Sequence, residues 1–536
     1  MRASRSHEAS GPQVARSRAR GLALLIACVA FCLALPSVSE ALRKTGLALH
    51  QVPGESSAES AAEDGGQDEE PQDHGLEELG LPLNPSLPGL EGDGLALRER
   101  MDEFLDEAFP QTGVPGLAVA VVSGDGVLFE RTMGDCTGAD SSFIIGSLSK
   151  SITAAAIMQQ VERGRMDLDA PVTSYLPECG QPQDVTLRSL LNQTSGFGYY
   201  DSLASAKPGA SSGSFSYSNA NYDLLGCALE AVTGQSYADY LRGSLFEPLG
   251  MNDASVDPKL VGASTRGHRN WFGLNLQDGY VHRDGPDAWG GPSSGYVRAS
   301  LSDMEGYLRM YLQGGAGVLS SSSVRSMTAL RVPDPQGESY YGLGWTTFHW
   351  DDGELVMSHD GQVENYVARM VVLPARGLAL VVLGDASDYL GGNEAFWNLA
   401  DGVTAISVGA DADAGLVDSG HRVGEHLAHD GVYLLMLGSS LWGVVSWRRW
   451  LRRLGDSRAA GRARDLVVPA LVAHGLAPAC LLWVPSLYGA PWRDFATFVP
   501  DAALVLLLTV GLLALGGLLR LGGACTLTPW AKPQVG

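Results

Sequence analysis

A serine and a lysine stand three residues apart, at Ser147 and Lys150, in the segment FIIGSLSKSITAAAIMQQVERG. The chain has only five lysines, and arginine supplies most of its positive charge. On a helix, residues i and i+3 share a face, so this amine can reach this hydroxyl. A desolvated lysine can lose its proton and activate a serine, which arginine cannot do. The pair predicts a nucleophilic serine with a lysine base, although alone it equally fits a helix cap beside a surface charge.

Two further segments carry residues that could join this chemistry. In FSYSNANYDLLG, Tyr217 near a cationic lysine could have a lowered pKa and relay protons, and Asn219 could orient the lysine or bind a substrate carbonyl. In SHDGQ, His359 ends a β-rich run, and Gly361 would let a substrate lie against the strand. Read singly, the first segment is typical of a loop and helix cap, and the second of a strand end.

The elements that must hold these residues follow from hydrophobic periodicity. Residues 116–134 form two β-rich runs around Gly-Asp-Gly, which predicts a hairpin. A helical pattern follows Gly146 and ends at Gly164, a residue suited to a helix C-terminus. Further strand pairs flank residues 351–353 and 374–377. This order predicts an α+β fold with one antiparallel sheet, whose first and last strands are neighbours, and helices from the middle of the sequence.

Together the segments resemble the serine β-lactamase and penicillin-recognising superfamily, in particular its class C-like branch of esterases, D-amino-acid peptidases and β-lactamase-related proteins. VTLRSLLNQTSGF and GPSSGYVRASLSDMEGYL add to the match, which covers roughly residues 93–410. The resemblance implies an antiparallel sheet flanked by helices with a helical subdomain. It also implies roles: Ser147 as the nucleophile that forms an acyl-enzyme, Lys150 as its base, Tyr217 as a proton shuttle, and Asn219 and His359 as members of the second and third motifs.

The same resemblance assigns substrate contacts to Asp360, Gly361 and Gln362. The oxyanion hole would use the backbone N–H groups of Ser147 and Gln362, and no metal or other cofactor is implied. Relatives often have threonine or serine where this chain has Asp360. If the Asp360 side chain faces the cleft, it disfavours substrates that carry a carboxylate, and therefore favours a neutral or cationic ester or amide. A second departure is Asn192-Gln193 before TSG, where relatives often carry Thr-His.

The N-terminal region indicates export. Residues 1–41 combine scattered arginines with the apolar run GLALLIACVAFCLAL, as in a secretory signal; an uncleaved anchor, or lipidation at Cys28, is the alternative. Residues 42–92 are acidic, small and polar, which predicts a disordered spacer.

Three apolar stretches, 431–447, 466–488 and 499–519, predict a membrane segment over 431–522, after a linker at 411–430. Arginines at 448–464 place that loop and the tail at 523–536 in the cytoplasm, and the folded domain outside. Buried core helices are the alternative interpretation of these stretches.

The net charge limits the possible partners of the chain, and its cysteine content limits the possible disulfides. The net charge of −23 argues against nucleic acid. Cys136, Cys179 and Cys227 allow one disulfide in an oxidising compartment, with the pairing open.

The sequence therefore predicts a multi-pass, membrane-tethered serine hydrolase of the esterase or amidase type, acting outside the cytoplasm on a small-molecule or peptide ester or amide. The alternatives are a D-amino-acid peptidase, transpeptidase or β-lactamase acting on cell-wall-like substrates, a catalytically silent binding domain, and a transporter or sensor built from the C-terminal spans.

Overall fold

A computed structural model describes residues 94–257, 265–335, 337–350, 353–459, 463–487 and 489–526. The described residues divide into a sheet unit, which ends at His421, and a C-terminal unit, which begins at Arg422 and also includes Trp271–Gly273. The predicted export signal, the acidic spacer and most of the predicted tail lie outside the described residues.

The elements of both units are as follows. The strands are β1 (Gly116–Ser123), β2 (Val127–Gly134), β3 (Ser142–Ile144), β4 (His268–Trp271), β5 (Leu274–Leu276), β6 (Arg298–Ser300), β7 (Val332–Pro333), β8 (Tyr340–Tyr341), β9 (Thr346–His349), β10 (Leu355–Val363), β11 (Tyr366–Leu373), β12 (Leu378–Gly384) and β13 (Ala386–Ser387). The α-helices are α1 (Gly94–Thr112), α2 (Ser149–Glu162), α3 (Leu187–Leu191), α4 (Asn219–Thr233), α5 (Tyr237–Leu241), α6 (Glu247–Leu249), α7 (Leu301–Leu312), α8 (Ser321–Ala329), α9 (Glu394–Ser407), α10 (Gly420–Val445), α11 (Trp447–Ala459), α12 (Arg464–Leu471), α13 (Ala477–Leu482), α14 (Val484–Leu487), α15 (Trp492–Phe498) and α16 (Pro500–Thr526).

The main sheet has eight strands in the order β2-β1-β12-β11-β10-β9-β8-β7, and all their pairings are antiparallel. Its first strand in the sequence pairs with its last, with Val119 opposite Val382. The predicted hairpin around Gly-Asp-Gly is β1–β2. The predicted α+β architecture with one large antiparallel sheet is therefore confirmed.

Each face of the sheet buries its own hydrophobic core. Ala120 of β1 and Met370 of β11 belong to a first core with Ile152 of α2. Val121 and Val371, one residue further along the same strands, belong to a second core with α1 and α9. Burial of a Val or Leu side chain contributes about 1.5–3 kcal/mol, so a one-residue slip, which would exchange the faces, is strongly disfavoured. This register decides which side chains of β10 reach the α2 side.

Helix α2 is buried on all sides rather than on one stripe. Every residue from Ser149 to Gln160 is buried. A 3₁₀ turn, Gly146–Leu148, precedes it, and Gly164 follows it with φ of 65°, in the left-handed conformation that suits glycine. A polar side chain on α2 is therefore removed from water, and it needs hydrogen-bond partners inside the protein.

In the C-terminal unit, two helical stretches are long and apolar enough to cross a membrane: Arg464–Leu482, with mean hydropathy 1.7, and Pro500–Thr526, with mean hydropathy 2.6. They match two of the three predicted spans. The other, 431–447, lies mostly in α10, and within the described chain that helix does not meet both criteria. The sidedness of these segments stays a prediction.

Three cysteines of the sheet unit, Cys136, Cys179 and Cys227, are free thiols. Burial raises the pKa of Cys136 and of Cys227 to about 11. Cys179 and Cys227 line one cavity of about 360 Å³, beside Leu224 of α4.

Candidate active site

Ser147 and Lys150 meet at the start of α2, as their spacing predicts. Ser147 lies on the 3₁₀ turn and Lys150 in the first turn of the α-helix. The Lys150 Nζ atom is 3.1 Å from the Ser147 Oγ atom. Lys150 is 0% exposed, whereas Ser147 is partly exposed. A buried amine thus contacts an accessible hydroxyl.

The remaining donors of Lys150 are also engaged. Its Nζ donates to Asn219 Oδ1 and to the carbonyl oxygen of Ser294, each at 2.6 Å. With Ser147, these acceptors account for all three N–H groups of an ammonium. Burial lowers the pKa of Lys150 to about 7, while Asp223 opposes this shift by favouring the charged form. Near neutral pH, a substantial fraction of the amine can therefore act as a base.

Tyr217 contacts the same hydroxyl from the other side. Its hydroxyl donates to Ser147 Oγ at 2.7 Å, and Lys150 Nζ lies 4.6 Å from the centre of its ring. The expectation of a lowered Tyr217 pKa is wrong, because burial raises that pKa well above its usual value. Tyr217 therefore stays a neutral phenol, which holds the Ser147 oxygen in place and can donate a proton.

The third motif lies directly against the turn that carries Ser147. A Cβ atom on Gly361 would overlap the carbonyl oxygen of Ile145, so only glycine fits at this position of β10. A Cβ atom on Gly146 would come within 2.6 Å of the backbone nitrogen of Gln362. The nitrogen of Gln362 is thus next to the turn that carries Ser147, where the predicted oxyanion hole would need it.

His359 is buried and lies on the same face of β10 as Gly361. Its Nε2 atom is 3.1 Å from the hydroxyl of Tyr341, and its Nδ1 atom is 2.8 Å from the carbonyl oxygen of Asp360. Burial and the nearby charge of Lys150 lower its pKa to about 4. The ring is therefore neutral near pH 7, with both nitrogens engaged by protein atoms.

The Asp360 side chain does not face this site, and its expected role toward substrate is corrected. Its carboxylate accepts two hydrogen bonds from Arg369, at 2.6 and 2.7 Å. Arg369 also pairs with Asp401 of α9, on the side of the second core. Side chains alternate along a strand, so His359 and Gly361 face α2 while Asp360 points the other way. Arg369 thus neutralises a charge that was expected to repel carboxylate substrates.

Residues that no motif identified complete the site. Asp223, one turn after Asn219 on α4, accepts hydrogen bonds from the Gly291 N–H and the Ser293 hydroxyl, at 3.0 and 3.2 Å. The i, i+4 spacing from Asn219 is a signal that could have indicated it. Burial raises the pKa of Asp223 to about 6.

Gln193, the second residue of the Asn192-Gln193 departure, supports the second motif. It is buried with φ of 64°, and its Oε1 accepts hydrogen bonds from the Ser218 N–H at 3.0 Å and from the Asn221 side chain. Gln193 therefore fixes the start of α4, where Asn219 lies.

A strap of residues 280–296 supplies backbone acceptors to the site. The carbonyl oxygen of Trp289 accepts from Asn219 at 2.9 Å, and that of Ser294 accepts from Lys150. The strap is held to the β10–β11 turn by Glu364, which accepts from Tyr280 at 2.8 Å and lies 3.3 Å from Nδ1 of His282. These contacts join parts of the chain about 80 residues apart, and no local pattern indicates them.

One cluster has the composition of a metal site. Ligand atoms of Asp135, His268 and Asp385 lie within 4.8 Å of one another. Protein atoms already engage this cluster, since Asp385 Oδ1 accepts from the Gly116 N–H at 2.7 Å and His268 Nδ1 lies 2.9 Å from the Asp385 carbonyl oxygen. These contacts explain the cluster as a structural link at the end of β12.

Comparison with known proteins places this site in a family. The family model described as Beta-lactamase matches residues 96–397, more than half of the chain. The chain belongs to the beta-lactamase family. The predicted resemblance is thereby confirmed at the level of the family, while the class C-like branch stays a prediction.

Two relatives are similar to this chain over about half of its length. Penicillin-binding protein 4 of Amycolatopsis lactamdurans is 30% identical over 326 residues, which cover 53% of this chain and 84% of that protein. Protein flp of Staphylococcus aureus (strain NCTC 8325 / PS 47) is 25% identical over 332 residues, 55% of this chain. The match spans 64% of the length of flp.

Two solved structures are also similar to the family domain. The octameric penicillin-binding protein homologue from Pyrococcus abyssi is 24% identical with a TM-score of 0.49, covering 58% of this chain and 78% of that one. The D-stereospecific amidohydrolase from Streptomyces sp. is 26% identical with a TM-score of 0.44, covering 54% of this chain and 94% of that one.

Proposed function

We propose that the chain is a serine hydrolase of the esterase or amidase type that forms an acyl-enzyme on Ser147. The observation that carries this proposal is the buried Lys150 amine, 3.1 Å from a Ser147 hydroxyl that also accepts from Tyr217. A nucleophilic serine needs a base within hydrogen-bond reach whose pKa is near the working pH, and Lys150, with its pKa lowered to about 7, meets both conditions.

In the proposed first step, neutral Lys150 accepts the Ser147 proton while Oγ attacks the substrate carbonyl carbon. The backbone N–H groups of Ser147 and Gln362 would bind the developing oxyanion. Collapse of the intermediate releases the leaving group, which takes its proton from Tyr217 or from the Lys150 ammonium. Water then repeats the sequence on the acyl-enzyme, releasing the acid and restoring Ser147.

The site favours an uncharged acyl group, although Asp360 does not face the cleft and cannot repel a substrate carboxylate there. A substrate carboxylate would need a cationic partner in the cleft. All three donors of Lys150 are already bonded, and His359 is neutral with both nitrogens engaged. Tyr199 and Trp289, with ring centres 5.5 Å apart, add aromatic surface, and Tyr199 lies 6.4 Å from Tyr217.

A second candidate function is action on D-peptides or β-lactams. The 30% identity to penicillin-binding protein 4 favours it, and so does the correction for Asp360, which removes one argument against carboxylate substrates.

We also propose that the C-terminal helices tether the domain to a membrane on its extracytoplasmic side. The two long apolar stretches support the tethering, and the arginines at 448–464 are the sequence argument for the side.

A fluorophosphonate probe tests whether Ser147 is a nucleophile. We expect the full chain to be labelled and Ser147→Ala to lose labelling, because the probe needs an activated hydroxyl. Ser322→Ala, an exposed serine on α8, is the matched control and should label normally. Absence of labelling in the unmodified chain, read by gel fluorescence, would favour the silent binding domain.

Substrate charge separates the two candidate functions. We expect kcat/KM for p-nitrophenyl acetate to exceed that for p-nitrophenyl hemisuccinate by at least about tenfold, since neither Lys150 nor His359 offers a free cationic donor to the extra carboxylate. Release of p-nitrophenol measures both reactions. If nitrocefin or benzylpenicillin is turned over as fast as the small esters, the β-lactam assignment replaces the esterase one.

The pH profile reports the state of Lys150. Because the unprotonated amine is the active form, kcat/KM should rise with pH through about 7 and level off above it. Tyr217→Phe should lower the whole curve without moving the limb, because the raised pKa keeps Tyr217 neutral throughout. A limb near pH 4 would instead identify His359 as the titrating base.

A further inference from the structure

Helix α11 carries a basic face, made up of Arg448, Arg449, Arg452 and Arg453. All four side chains are exposed. Their spacing repeats at i and i+4, so the guanidinium groups form two adjacent rows on one side of the helix. Asp456, one turn further on, is the exposed acid of the same helix.

The opposite face of α11 is fixed by packing within the C-terminal unit. Leu454 is buried, and Leu451 fills the space beside Gly523 of α16, where a Cβ atom would overlap its Cδ1. The Arg520 guanidinium lies 5.8 Å from the ring centre of Trp450. This packing anchors α11 to the last turns of α16, so the basic face has a defined direction away from that helix.

The length of α16 places this contact at a membrane surface. Its 27 residues extend about 40 Å at 1.5 Å per residue, whereas the hydrocarbon core of a bilayer is about 30 Å thick. The end that bears Gly523 would therefore lie among the lipid headgroups. The ring centres of Trp447 and Trp442 lie 5.3 and 5.7 Å from the guanidinium groups of Arg448 and Arg449, and Trp450 lies beside Arg520 of α16. Tryptophan is enriched at the depth of the headgroups.

We propose that the basic face of α11 binds the phosphate headgroups of anionic phospholipids. Arginine pairs with phosphate oxygens through two parallel hydrogen bonds, and four exposed arginines beside a candidate span match the charge of an anionic leaflet. This proposal rests on the membrane tethering proposed above. It goes beyond tethering, because an apolar span has no preference between charged and neutral lipids.

The test uses the full chain, purified in a neutral detergent and titrated with dioctanoyl phosphatidylglycerol or dioctanoyl phosphatidylcholine, with bound lipids counted by native mass spectrometry. We expect phosphatidylglycerol to bind at least about tenfold more tightly, since each arginine near an anionic surface contributes about fivefold. The variant with all four arginines of the basic face changed to glutamine should lose that preference. The matched control changes four exposed arginines of the sheet unit to glutamine: Arg163, Arg165, Arg242 and Arg325.

Carbonate washing of membranes separates failure of this proposal from failure of the tethering. Release of the unmodified chain by carbonate would contradict the tethering. Retention of the chain together with equal binding of the two lipids would overturn the headgroup proposal alone. So would a preference for phosphatidylglycerol that survives in the basic-face variant, because the anionic lipid would then bind elsewhere. Thermal unfolding of each variant checks that the protein remains folded.

Discussion

Replacing Lys150 with arginine will lower kcat/KM for a small ester by about 10²–10⁴-fold, the usual contribution of a positioned proton-transfer group. Arginine keeps the positive charge but does not deprotonate in the accessible pH range. The site holds the lysine amine without contact with water, between Ser147, Asn219 and Ser294. The loss should therefore persist at pH 9, because raising the pH to that value does not deprotonate the arginine.

Two further variants separate lost chemistry from lost structure in this experiment. Lys150→Met keeps an unbranched side chain one atom shorter and removes both base and charge, so it should be as inactive as the arginine variant. Lys207→Arg, at an exposed lysine, should retain full activity. Thermal unfolding of each variant is measured alongside. A folded Lys150→Arg enzyme within tenfold of the unmodified one would mean that another group removes the Ser147 proton.

Local patterns predicted the parts of this site that depend on local geometry. The i, i+3 relation of Ser147 and Lys150 needs only one helical turn, and the β1–β2 hairpin needs only its turn residues. The acceptors of Lys150 show the limit of such reasoning. The Ser294 carbonyl is 144 residues away in the sequence, and a backbone oxygen has no signature in the amino-acid types.

The two corrected expectations have different physical causes. The Tyr217 prediction considered a neighbouring cation and omitted desolvation, which is the larger effect in a fully buried phenol. The Asp360 prediction overlooked the alternation of a strand, which sends neighbouring side chains to opposite faces. Once His359 and Gly361 are assigned to the cleft, Asp360 must face the second core, where Arg369 pairs with it. That correction was available from the sequence.

Replacing Gly146 with alanine will lower kcat by about 10²–10³-fold, the cost of losing one oxyanion-hole donor. Gly146 has φ of 57°, and an added Cβ would lie 2.6 Å from the Gln362 nitrogen and 2.7 Å from the Gly361 carbonyl carbon. These neighbours are backbone atoms of a strand paired within the sheet, so they cannot turn aside as a flexible side chain would. The strand and the turn that carries Ser147 must move apart, which separates the two proposed donors.

Gly164→Ala is the control that isolates this steric effect. Gly164 follows the same helix with φ of 65°, and no atom lies within 4 Å of its added Cβ. Both variants incur the backbone strain of a left-handed alanine, about 1–2 kcal/mol, so both should lose comparable stability on that account. Only Gly146→Ala should also lower kcat, with little change in KM, because the oxyanion donors act in the transition state. Equal rates in the two variants would show that the Gln362 nitrogen has no part in the reaction, and the oxyanion would then need donors from outside the third motif.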